Sequence, residues 1–146
     1  MIALIQRVRK ASVEVDGEII GAIGPGLLAF IAVQPDDAAP QAHRLLQRLL
    51  GYRIFNDELG KLNRSLTDVK GELLLVSQFT LAADTDKGMR ASFTTAASPE
   101  HGRRWFEHLV ELAKEQHARV ATGRFGADVQ VSLINDGPVT FWLETK

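Results

Sequence analysis

Two short stretches concentrate the side chains able to do chemistry in this chain. Ser77-Gln78-Phe79-Thr80-Leu81 closes an apolar run with two hydroxyls, an amide and an aromatic ring. Strand ends present side chains at pocket mouths, and a buried glutamine needs hydrogen-bond partners. The plainer use of the same residues is Ser and Thr bonding local backbone. The second stretch is Asn135-Asp136-Gly137-Pro138-Val139-Thr140. Asn and Asp suit Asx-turns, and Gly supplies free φ. The proline after the glycine has no N–H and a fixed φ, which complicates a return strand. This is either an ordinary loop or a Gly-Pro peptide held out for a purpose.

The familiar catalytic sets give little. His43, His101, His108 and His117 fall on or at the ends of expected helices, with no His-x-x-x-His or H-E-x-x-H spacing. They read as surface or capping histidines, and no metal site is expected. No G-x-S-x-G elbow, Walker loop or G-x-G-x-x-G occurs. Asp36-Asp37 and the Asp84, Asp86 pair sit where acidic residues serve helix starts and turns. No cofactor is implied.

At 146 residues the chain reads as one domain, 1–146, able to bury a core. It is 45% hydrophobic and 24% charged, which describes a globular protein rather than a disordered one. It has no cysteine, so disulfides and thiolate chemistry are excluded, in keeping with a reducing cytoplasm. The start, MIALIQRVRKASVEV, resembles a first strand rather than a signal peptide, and no apolar run reaches membrane-span length. A net charge of −1 argues against gripping nucleic acid by bulk charge. A local basic patch stays open, as do scattered solubilising charges.

The elements that must position the two stretches follow from pattern. ASVEVDGEIIGAI alternates around Asp16-Gly17, a hairpin signal. LLAFIAV is a continuous apolar run, suited to a strand buried on both faces. QPDDAAPQAHRLLQRLLG predicts an amphipathic helix with an Asp start and a Gly51 stop. YRIF reads as a short strand and NDELGK as a turn. GELLLVSQFTLAA gives a buried strand running into the polar cluster, and DTDKGMRASFTTAA a long loop. SPEHGRRWFEHLVELAKEQ predicts a helix capped by Ser98 with Pro99 first, and Trp105, Leu109 and Leu112 on one face. VQVSLI and VTFWLE predict an antiparallel pair turning on NDGPVT. The expected fold is α+β: a barrel-like, largely antiparallel sheet of about seven strands with two main helices packed on it.

Taken together, SQFTL and Asn135-x-Gly137-Pro138-x-Thr140 resemble the paired signature of the D-aminoacyl-tRNA deacylases. The likeness runs over essentially the whole chain, through MIALIQRV, LGYRIF, SQFTLAADT, TGRF and NDGPVTFWL. The resemblance implies a cytoplasmic homodimer that hydrolyses the ester between a D-amino acid and the 3′-terminal adenosine of tRNA. It also implies removal of glycine from wrongly charged glycyl-tRNA. By the same carry-over, Gly137-Pro138 is a cis peptide projecting from one subunit into the pocket of the other. Ser77, Gln78, Phe79 and Thr80 line that pocket, Phe125 packs on the terminal adenine, and Arg7 holds the Gly-Pro loop. Asn135 and Thr140 belong to the selecting motif, with Thr140 either touching substrate or bracing the loop. A small-molecule hydrolase and a non-catalytic nucleic-acid-binding dimer are the rival readings.

A chiral filter needs a rigid obstacle at the substrate's α-carbon. Carbonyls on a closely approaching Gly-Pro peptide would accept from the α-amino group and leave no room for an L side chain, while glycine would pass. For hydrolysis, Thr80 or Ser77 as nucleophile lacks a nearby His or Lys in sequence. Backbone N–H groups at the SQFT strand end, with the substrate's ribose 2′-OH positioning water, form the favoured alternative. Recognition of a single-stranded tip needs few charges, and Lys87 and Arg90 are the expected phosphate contacts.

Overall fold

The computed structural model describes all residues 1–146. Its organising element is β1 (Ile2–Val15). The first half of β1 lies between β3 (Gly26–Ala32) and the C-terminal half of β8 (Gln130–Glu144), antiparallel to both. Its second half leaves β3 and pairs with β2 (Glu18–Ile23), still carrying β8 on the other side. The β1–β2 hairpin turns at Asp16 and Gly17, whose φ values of 50° and 81° suit the twist of the flanking strands. Beyond β3 the sheet continues in parallel through β6 (Glu72–Ser77) to β7 (Val120–Thr122). The sheet is therefore mixed, antiparallel around β1 and parallel beyond β3. It nearly closes, because β2 returns against β7. A Cβ on Gly21 would sit 2.6 Å from the Thr122 carbonyl oxygen, so only glycine lets the two strands approach there.

Helices α1 (Ala39–Gly51) and α3 (Pro99–Gln116) cover one face of this sheet. Ala42, Leu45, Leu46 and Leu49 of α1 and Phe106, Leu109 and Ala113 of α3 meet Ile5, Leu27 and Leu75 in the main core. The buried stripe of α3 thus passes through Phe106 rather than Trp105, which is only half-buried. A smaller core of Val8, Val13, Leu28, Leu74 and Val76 fills the barrel side. A two-stranded hairpin, β4 (Phe55–Asn56) and β5 (Leu62–Arg64), and a single-turn α2 (Leu66–Val69) complete the chain.

Three expectations change. The start of α1 is Ala38, whose N–H is accepted by Gln41 Oε1 at 2.9 Å. Asp37 is instead buried against the Met1 ammonium at 2.7 Å and accepts the Gln34 N–H at 2.7 Å. Gly51 lies in the helix's last turn, and extended Tyr52 ends it. The largest change concerns VQVSLI and VTFWLE. They do not pair with each other but are consecutive parts of β8, both laid along β1. By contrast, Ser98 caps α3 as expected, its Oγ accepting the His101 N–H at 3.3 Å, with Pro99 in the first turn.

Candidate active site

NDGPVT is a bulge within one strand, not a turn between two. Gln6 pairs with Thr140 and Val8 with Asn135, so Asp136 to Val139 stand opposite the single residue Arg7. Each signature residue of the bulge has a defined contact. Asn135 Nδ2 donates to the carbonyls of Arg7 and Val139, both at 3.0 Å, closing the base of the loop. The buried Arg7 guanidinium donates to Asp136 O at 3.0 Å and Ile54 O at 2.8 Å, and pairs with the Asp136 carboxylate at 3.2 Å. A longer bond, at 3.3 Å, reaches Asn56 Oδ1 on the β4–β5 hairpin. Thr140 Oγ1 accepts from Gln6 Nε2 at 3.1 Å, which ties the far side of the bulge to β1. Gly137 and Pro138 themselves are exposed, and the peptide between them is cis.

SQFT occupies the opposite end of the sheet. β6 finishes at Ser77, in register with Ile31 of β3, and Gln78 N–H donates to Ile31 O at 2.7 Å. The chain then winds into one 3-10 turn, Phe79–Ala82. The Phe79 and Thr80 amides lie ahead of that turn's first bond, Leu81 N–H to Gln78 O at 3.2 Å. Such leading amides have no acceptor inside their own turn. Gln78 Nε2 donates to Thr80 Oγ1 at 2.6 Å.

A cavity of about 700 Å³ opens beside this strand end. Ser77, Gln78, Phe79 and Phe125 line it, with Phe93, just past the 84–92 loop, tilted against Phe79 at a centroid distance of 5.2 Å. Phe125 is fixed from behind by Phe106, with ring centroids 6.2 Å apart, and Arg103 lies 5.0 Å over its ring. Thr80 sits on the turn outside the lining. Lys87 and Arg90 flank fully exposed Met89 on the loop, away from the cavity wall and without an ion pair.

The structure therefore unites Ser77, Gln78, Phe79 and Phe125, joins Arg7, Asn135, Gly137 and Thr140 in a second cluster, and separates the two groups. The bulge lies in the row of Arg7, Leu27 and Leu73, whereas Ser77 lies four residues along β6 and three strands across. At about 4.8 Å per strand and about 3.3 Å per residue, roughly 20 Å separates them. Sequence reading did not anticipate the support given by Ile54 and Asn56. The short YRIFN segment carries no signal that its backbone receives Arg7.

No three His, Cys, Asp or Glu side chains converge to hold a metal ion. His101 and His117 are engaged structurally, each with Nε2 2.7 Å from a carbonyl, of Asp37 and Gly71 respectively. No helix is long and apolar enough to cross a membrane.

A nearly closed mixed sheet with two helices on one face, a hydroxyl-amide-aromatic cavity at one strand end and a Gly-Pro bulge define one class of protein. The model of the D-Tyr-tRNA(Tyr) deacylase family matches residues 4–144, and the chain belongs to that family. It is 65% identical over 146 residues to the D-aminoacyl-tRNA deacylase of Alkalilimnicola ehrlichii, covering 100% of this chain and 97% of that one. It is 67% identical over 144 residues to the enzyme of the same name from Thioalkalivibrio sulfidiphilus, covering 99% and 97%. Among solved structures, a c-Myc DNA unwinding element binding protein superposes with a TM-score of 0.95 at 36% identity, over 100% of this chain and 99% of that one. A probable eukaryotic D-amino acid tRNA deacylase shares the fold, with a TM-score of 0.82 at 20% identity over 99% and 98%.

Proposed function

We propose that this protein hydrolyses the ester of D-aminoacyl-tRNA and of mischarged glycyl-tRNA in the cytoplasm, and spares L-aminoacyl-tRNA. One observation carries the reading. A chain about two-thirds identical, end to end, to enzymes named D-aminoacyl-tRNA deacylase keeps Ser77, Gln78, Phe79 and Phe125 around one cavity. Phe125 and Phe79 offer aromatic surface for the terminal adenine. The leading amides of Phe79 and Thr80 supply donors for an oxyanion, and the ribose 2′-OH positions the attacking water. The Thr80 hydroxyl already accepts from Gln78 and has no base beside it, which favours this assignment over a Thr nucleophile.

Gly137-Pro138 is the selecting element, and it acts in trans. The roughly 20 Å between bulge and cavity is too far for both to touch one α-carbon within a subunit. A second copy of the chain that brings its bulge to the cavity completes the site. Trp142 (51% exposed) and Ile134 (47% exposed), both on β8, supply apolar surface for such self-association. Lys87 and Arg90 contact phosphates, giving moderate salt dependence.

The structural relative named as a DNA unwinding element binding protein favours one second reading, a nucleic-acid-binding dimer without catalysis. One assay separates them: incubation with D-tyrosyl-tRNA, L-tyrosyl-tRNA and glycyl-tRNA. Release from the first and third but not the second is expected. Retained tRNA binding with no release overturns the deacylase.

A further inference from the structure

A second groove of about 700 Å³ adjoins the cavity, and Pro99 and Phe125 line both. It runs along the outer face of α3, past Arg103, Arg104, Trp105 and His108. Its electrostatics are uneven. Glu100, Glu107 and Glu111 also line it, and Glu107 engages Arg103 at 3.5 Å. Arg103 is further occupied over the Phe125 ring at 5.0 Å. Arg104 differs: it makes no ion pair, and its guanidinium lies 4.8 Å over the Trp105 indole. A planar cation stacked on an aromatic ring, with its charge unspent, is suited to a sugar-phosphate and the base beside it.

We infer that the single-stranded RNA preceding the terminal adenosine leaves the cavity over Phe125 and lies in this groove. Arg104 takes the phosphate on the 5′ side of that adenosine, and the Arg104–Trp105 stack supports the penultimate base. Phe125 is the hinge of the path, since it lines both the cavity and the groove. The flanking glutamates confine the phosphate to the Arg104 side by repulsion. This rests on the deacylase reading and adds to it a binding surface that neither signature motif contains. Arg104 is a positioning residue: it holds the tRNA end and takes no part in ester cleavage.

The inference divides two substrates that share the same ester. Full D-aminoacyl-tRNA reaches the groove, whereas a D-aminoacyl ester of adenosine alone does not. Arg104→Glu is expected to raise KM for D-aminoacyl-tRNA about tenfold with kcat unchanged. It should leave kcat/KM on the aminoacyl-adenosine within twofold of the parent. The dependence of log KM on log salt should fall by about 0.7, the loss of one phosphate contact on a single strand. Lys114→Glu makes the same charge change in the last turn of α3, outside the groove, and should leave both substrates unaffected. Arg104→Lys keeps the charge without the planar stack and should recover part of the affinity. An unchanged KM for tRNA in Arg104→Glu overturns the inference, as does equal loss on both substrates or equal loss in Lys114→Glu. If the parent protein cleaves neither ester, the deacylase reading fails first and takes this one with it. If the parent cleaves both and the variant behaves identically, only the groove is wrong.

Discussion

The side-chain oxygen of Asn135 lies 2.7 Å from where a Cβ on Gly137 would stand. Real Cβ contacts do not come that close, so any larger residue at 137 displaces the amide that closes the bulge. Gly137→Ala is expected to break the Asn135 bonds to Arg7 and Val139, costing about 1–2 kcal/mol. Discrimination between D- and L-tyrosyl-tRNA should fall along with it. Thermal unfolding and paired deacylation assays check both effects. Unchanged stability and selectivity would remove the bulge from the selecting role.

Thr80→Ala distinguishes the two chemical schemes. The hydroxyl is exposed and accepts from Gln78 at 2.6 Å. If backbone amides and the substrate's 2′-OH do the work, single-turnover deacylation falls only a few-fold. A loss of about 10⁴-fold with intact tRNA binding would establish a nucleophile.

Arg7 joins the bulge to the β4–β5 hairpin from a buried position. Arg7→Ala leaves the Asp136 and Ile54 carbonyls without their donor and should destabilise the fold by about 2–3 kcal/mol. Arg7→Lys keeps the charge but cannot span both carbonyls with one fork, so stability should recover more than D/L selectivity. Urea unfolding set beside the ratio of D- to L-substrate rates tests the split. Parallel recovery of both would contradict it.

Acid should weaken the hairpin side of the molecule. The Lys61 backbone N–H holds the Asp57 carboxyl below the usual carboxylate range against an opposing effect of burial, with further help from the Leu59 N–H, Asn63 and Arg64. The Ser65 N–H and then its hydroxyl do the same for Asp68. Both folded values lie below the unfolded ones, so the stability they add is present above about pH 4 and lost as pH falls through the folded values. The urea midpoint is expected to be flat from neutrality to about pH 5, then to fall. Asp57→Asn with Asp68→Asn should flatten that acid limb, and an unchanged slope would count against these two groups.

Much of this fold was legible because its signals are local. Asp16-Gly17, the doubly buried LLAFIAV run and the Ser98-Pro99 helix start each declare themselves within a few residues. What was illegible depends on partners. VQVSLI and VTFWLE alternate identically whether they pair with each other or in turn with β1, and only register against Arg7 exposes the bulge. Val120–Thr122 is too short to show a period, so β7 leaves no trace in the sequence. Asp37 has the residue type and position of a helix cap. The Met1 ammonium, remote in sequence, takes it instead. In the site, SQFT and NDGPVT could be singled out as words. The distance between them, which the proposed action in trans answers, is purely a property of strand order.

The pairing of β1 with β8 also bears on how the chain comes to its fold. Ile2 meets Glu144, and the Met1 ammonium donates to Thr145 O at 2.8 Å. The first strand made is thus completed by the last, with nearly the whole chain as the intervening loop. During synthesis β1 and β3 can pair early, but one edge of β1 stays open until Gln130–Glu144 emerges, and open edges invite wrong partners. The bulge that presents Gly137-Pro138 is built in that same late step. An incompletely made chain can therefore possess the SQFT cavity before it possesses the element proposed to restrain it.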